Sequence, residues 1–184
     1  MRVRSLVSRC TVILLAAAAA IWPAGPAAAA SLPLERCYGL ETPQHEDERD
    51  WFAPGNVHTT WPSPVGMVDR DVFRVSALGK VRIDHWGTQK SIAGELPLAG
   101  SGWPAPDAPR YALIAKVTSG SMLVLSTGLF YGSGRWFPVG AGSGCMLYYN
   151  AGAPSRLVFS FNDPNLGDNG GGASVWVRQW WGEF

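Results

Sequence analysis

The chain has 184 residues, of which 16% are charged and 47% hydrophobic, with 22 Gly, 14 Pro and a formal charge of +1. Aromatic content of 11% with nine Trp excludes a disordered protein, and Gly and Pro in every stretch exclude a coiled coil. A charge so near zero presents no large basic field for a nucleic-acid partner.

Residues 1–30 read as a secretory signal peptide. Arg2, Arg4 and Arg9 form a positive start. The apolar run at 10–21 is too short for a comfortable membrane span, and 27–30 is all Ala, which offers cleavage before Ser31. The expected mature protein is therefore secreted and free of the membrane. It retains twelve basic and fourteen acidic side chains, a balance of −2. It also retains two cysteines, Cys37 and Cys145. An even pair in an oxidising compartment predicts a disulfide, the alternative being two free thiols.

Residues 31–65 read as an N-terminal extension packed on a domain spanning 66–184. Within 31–65, the run at 45–50 (HEDERD) reads as a charged loop or helical turn. Short β-branched or aromatic runs then recur between turn residues: 71–76, 80–84, 111–117, 122–126, 145–149, 156–161 and 173–178. No stretch after residue 30 keeps the 3.6-residue period of a helix for three turns. The pattern predicts an all-β protein, an antiparallel β-sandwich of galactose-binding-like or jelly-roll-like type.

Catalytic motifs are absent. The chain lacks a G-x-S-x-G elbow, a phosphate loop and H-E-x-x-H, and its three His share no metal-ligand spacing. The expectation is a binding protein and not an enzyme.

One connection carries chemistry. Residues 161–172 (FNDPNLGDNGGG) hold two carboxylates and three carboxamides within eight positions. Hard oxygens of this kind suit Ca²⁺, which takes six to eight oxygen ligands. The competing reading is a polar turn without an ion, because Asn, Asp and Gly dominate turns. Among the aromatics, Trp86 and Trp103 lie in predicted loops near this segment and are candidates for stacking on a sugar ring. Trp176 alternates within a strand and reads as core. Trp180 and Trp181 either close the sandwich or form an exposed patch.

Read together, 70–79 (RDVFRVSALG), 111–117 (YALIAKV), 126–130 (STGLF) and the run from Asn162 to Val177 resemble the PA-IL (LecA)-type family of calcium-dependent, galactose-binding bacterial lectins. The resemblance spans roughly 66–177. It implies Ca²⁺ as cofactor and a carbohydrate with cis-vicinal hydroxyls, galactose-like, as partner. It matches Asp163 to a calcium carboxylate that also contacts sugar, and Asp168 and Asn169 to a later ligand pair. It assigns a backbone carbonyl to Asn165 or Leu166 and another to Trp86, which precedes Gly87. This chain departs from the family in three ways. Its loop from Asp163 to Asp168 is two residues shorter, Ala105 and Ala108 stand where the family places His and Gln, and the 131–154 stretch is longer. The implied function is a calcium-dependent carbohydrate-binding domain. A structural or adhesion module without sugar recognition is the other reading, and the oligomeric state stays open.

Overall fold

The computed structural model describes residues 32–47, 51–62 and 66–182. The expected signal peptide lies outside the described residues, as does the 48–50 part of the charged run. Among these described residues, fourteen strands and one short α-helix, α1 (Pro33–Tyr38), follow in chain order. The strands are β1 (His45–Glu46), β2 (Trp51–Pro54), β3 (Thr59–Thr60), β4 (Val72–Arg82), β5 (Gln89–Ser91), β6 (Glu95–Leu98), β7 (Pro109–Arg110), β8 (Leu113–Val117), β9 (Ser121–Val124), β10 (Leu129–Gly132), β11 (Phe137–Pro138), β12 (Gly142–Tyr149), β13 (Leu157–Phe161) and β14 (Gly170–Trp180).

The strands form the expected antiparallel β-sandwich. One sheet has the order β1-β14-β4-β12-β9-β10, with β2 also on β14 and β5 also on β4. The second has the order β11-β8-β13-β3, and β6 pairs with β7 apart from both. Alternation explains the packing, because every second side chain on a strand faces the same way. Phe73, Val75, Ala77 and Val81 on β4 meet Leu113, Ala115 and Val117 on β8 and Phe159 and Phe161 on β13 in one core. Each large side chain buried this way contributes about 1.5–3 kcal/mol.

Two runs that read as separate strands, 71–76 and 80–84, are one continuous strand. Gly79 lets β4 continue: at φ +146° it lies so close to the Gly172 carbonyl that a Cβ would clash. The 31–65 stretch supplies β1 and β2 to the larger sheet and β3 to the smaller one. His45 and Glu46 are thus strand residues, paired with Gln179 and Arg178, and not a loop.

The outer face of the larger sheet is covered at one end by α1. Pro33 occupies the first turn, where its fixed φ suits a helix start. Six residues cannot sustain a helix alone, so tertiary contacts hold it. Cys37 is disulfide-bonded to Cys145 on β12, 108 residues away, as expected. The bridge lies in a cluster with Val72 and Trp180. Trp180 is therefore buried beneath α1 on the outer face of the larger sheet and not between the sheets, while its neighbour Trp181 is 45% exposed. Among the described residues no helix is long and apolar enough to cross a membrane.

Candidate functional site

The loop between β13 and β14 carries residues from one sheet to the other. Its first residue, Asn162, is buried, and its carboxamide binds the backbone of 105–109. Asn162 Nδ2 donates to the carbonyls of Ala105 at 2.9 Å and Pro109 at 2.9 Å, and Oδ1 accepts from Ala105 N at 3.0 Å. The neighbouring Tyr111 N donates to Asn162 O at 2.8 Å. The 99–112 segment is thereby fixed beside the loop.

Asp163 is 6% exposed and Asn169 4%. Asn165 links the two carboxylates: its backbone N–H donates to Asp163 Oδ1 at 2.9 Å, and its Nδ2 donates to Asp168 Oδ2 at 2.9 Å. Asn169 Nδ2 donates to the Gly55 carbonyl at 3.3 Å, which ties the loop to the β2–β3 turn. Leu166 opens a 3-10 turn to Asp168, accepts from Asn169 N at 3.2 Å and packs against the main core.

These bonds leave one oxygen over on each of three side chains. Asp163 Oδ2, Asp168 Oδ1 and Asn169 Oδ1 are buried without a hydrogen-bond partner. They are three of five such side-chain atoms among the described residues. A buried acceptor without a donor costs about 1–3 kcal/mol, and more for a charged group. Burial pushes the Asp163 carboxyl above its ordinary 3.8; the negative charge of Asp168 adds to that rise, while the Asn165 N–H and the nearby Asn169 carboxamide dipole oppose it. Three acceptors with no donor, two of them on carboxylates, fit a hard cation. Among the described residues no three His, Cys, Asp or Glu side chains gather, so a metal here takes carboxamide or carbonyl oxygens as well.

The aromatics divide. Trp103 packs edge-on against Tyr111 at 5.3 Å, with the Arg110 guanidinium 5.7 Å above its ring. Through Tyr111 it belongs to the framework held by Asn162. Trp86 is 82% exposed in the β4–β5 turn, its ring 4.2 Å from that of His85. That turn follows Arg82, the partner of Gly170, so it projects from the sheet end at which the loop enters β14. Trp176 departs from expectation. It stands on the outer face of the larger sheet and lines a groove with Glu46, Asp47, Ser76 and Arg178. The neighbours Val175 and Val177 take the core positions, so alternation placed Trp176 on the opposite face.

Ala105 and Ala108 are buried against Ile114 on the outer side of the smaller sheet. They fill space there, and their segment has no polar side chain free at those positions. Two further polar clusters are structural. His58 Nδ1 and Ser160 Oγ lie 2.8 Å apart, but Ser160 is 1% exposed and closed to a substrate. Asp71 accepts from Val68 N, Gln179 Nε2 and Gly182 N, which fastens the end of β14 to the start of β4. The loop residues singled out in the sequence, Asp163, Asn165, Leu166, Asp168 and Asn169, lie on one short connection between β13 and β14. The sequence held no sign of Gly55, which is distant in the chain and acts through its carbonyl. A scan against protein-family models and a search of curated proteins both return no match to this chain.

Proposed function

We propose that this chain is a secreted, non-catalytic carbohydrate-binding domain whose sugar site is built on a calcium ion held by the 163–169 loop. One observation carries the reading: Asp163 Oδ2, Asp168 Oδ1 and Asn169 Oδ1 are buried acceptors without donors within one short loop, the two aspartates joined through Asn165. Asp163, Asp168 and Asn169 supply side-chain oxygens, and Asn165 or Leu166 supplies a carbonyl. A bound calcium neutralises the two carboxylates and offers open positions to a pair of vicinal hydroxyls. Trp103, already oriented by Tyr111, and the exposed Trp86 offer faces for the apolar side of a sugar ring. The disulfide suits an oxidising compartment and supports the secreted assignment.

The test is glycan binding measured with calcium and with chelator, alongside melting curves in the same buffers. Calcium-dependent stabilisation with calcium-dependent binding is expected. Stabilisation by calcium with no glycan bound in either buffer would leave the ion structural and favour an adhesion or scaffold module. No response to calcium in either measurement would defeat the ion and the sugar site together.

A further inference from the structure

Among the described residues nothing covers the outer face of the larger sheet beyond α1, and that face carries a charge pattern unlike that of the whole chain. Cross-strand partners share a face, so the register fixes its content. Arg82 stands opposite Gly170, Lys80 opposite Gly172, Leu78 opposite Ser174, Ser76 opposite Trp176 and Arg74 opposite Arg178. Phe52 on β2 joins the row of Ser174. Four of the twelve basic residues after position 30 thus line one strip, although that part of the chain has a balance of −2. Arg74, Lys80 and Arg82 have no ion-pair partner among the described residues, and Arg178 pairs with Glu46 at 2.6 Å.

The strip also has apolar platforms. Phe52 is 54% exposed and lies against Gly172, where a Cβ would come within 2.8 Å of its ring. Trp176 floors a groove of about 360 Å³ with Ser76, Arg178, Glu46 and Asp47 on its walls. The indole N–H of Trp176 and the hydroxyl of Ser76 bond nothing within the described residues. From Arg82 to Arg74 the strip runs eight residues along an extended strand, about 27 Å.

We propose that this face binds an acidic polysaccharide, a glycan chain bearing uronate carboxylates, lengthwise along β4 and β14. The cations meet the carboxylates, and Phe52 and Trp176 stack on sugar rings. Asp47 is already bonded to Trp61 Nε1 and Val177 N, so Glu46 is the carboxylate left in the groove to accept hydrogen bonds from sugar hydroxyls beside Trp176, while the unpaired cations Arg74, Lys80 and Arg82 meet the uronate carboxylates. This face is separate from the 163–169 loop and needs no metal.

The experiment is affinity electrophoresis and calorimetry with polygalacturonate, neutral dextran and single-stranded DNA, all in EDTA. The expected result is retardation by polygalacturonate alone, weakened by added salt. The exposed pair Lys80→Gln and Arg82→Gln should weaken binding at least tenfold with an unchanged melting curve. Trp176→Ala should weaken it as well. Asp163→Asn should leave it intact, which separates this site from the calcium loop. Equal retardation by dextran, equal retardation by DNA, or wild-type binding in the Lys80/Arg82 variant would each overturn the proposal.

Discussion

Asn162 and Ala105 bond each other twice: Ala105 N donates to Asn162 Oδ1 at 3.0 Å, and Asn162 Nδ2 donates to Ala105 O at 2.9 Å. The carboxamide thus behaves as a peptide group in a strand ladder, turned out of the end of β13. It holds the backbone of 105–109 against the end of the smaller sheet. It also places Tyr111 and Trp103 beside the loop that begins with Asp163.

Replacing Asn162 by Ala removes these bonds and leaves the buried Ala105 N–H unpaired, while the Ala105 and Pro109 carbonyls keep bonds from Ala108 N and Ala112 N. The orphaned donor costs about 1–3 kcal/mol and each further lost bond about 0.5–1.5 kcal/mol, so a total loss of about 2–4 kcal/mol is expected after relaxation. Denaturant unfolding of Asn162→Ala measures it. A loss under half a kcal/mol would mean that the 99–112 segment is held by its packing on Ile114 and not by this residue.

How much of this was legible beforehand follows from the kind of signal each feature has. Strands such as β8 and β13 announce themselves through short apolar runs, and the disulfide through an even pair of cysteines. The two alanines at 105 and 108 look, by sequence position, like a depleted sugar contact. In the fold they are wall residues against Ile114, because Asn162 turns their segment onto the smaller sheet. Trp176 misled for the opposite reason. An aromatic in a strand reads as core, but which face is buried depends on register, and only Val175 and Val177 beside it settle that. The 163–169 loop was readable as oxygen-rich. Which of its oxygens lack donors depends on Asn165 and Gly55, and no local pattern encodes those bonds.

The Cys37–Cys145 bridge closes a loop of 108 residues and pins a helix too short to persist alone. Its removal by Cys37→Ala with Cys145→Ala should cost about 2–5 kcal/mol. The near-ultraviolet signal of Trp180, which packs beside the bridge, should weaken with it. Unchanged stability in the double variant would show that Leu34, Val72 and Trp180 hold α1 without the covalent link.

Asp163 gives a prediction with opposite signs in two buffers. Its raised pKa means that the folded state holds the proton more tightly than the unfolded chain. Without a cation, stability is greatest below the ordinary 3.8 and falls as pH rises through the raised value. At neutral pH the ionised carboxylate is therefore a burden on the metal-free fold. Asp163→Asn keeps an oxygen for the Asn165 N–H and removes the charge, so it should raise the melting temperature in EDTA. In calcium the order should reverse, because the wild type gains about 2.7 kcal/mol at a hundredfold excess of ligand over Kd and the variant gains little. A variant that melts below the wild type in EDTA at neutral pH would defeat the account of Asp163 as a cation ligand held in waiting.

The two candidate stacking residues should separate by how each is held. Trp103 is braced by Tyr111 and Arg110, so its ring is oriented before any sugar arrives and little side-chain freedom is lost on binding. Trp86 is 82% exposed and must be ordered by the ligand. Neither Ala105 nor Ala108 offers a polar side chain, so a monosaccharide is expected to bind with a Kd of about 1 mM, near −4 kcal/mol. Discrimination among sugars with cis-vicinal hydroxyls should be poor, because the ion reads hydroxyl geometry and little else. Trp103→Ala should abolish the measurable binding and lower the melting temperature slightly, since Tyr111 loses a neighbour. Trp86→Ala should weaken binding a few-fold and leave the melting temperature unchanged. Calorimetry with galactose and its epimers, with both variants melted in parallel, checks each outcome. A larger loss from Trp86→Ala than from Trp103→Ala would move the sugar from the Tyr111 side of the loop to the β4–β5 turn.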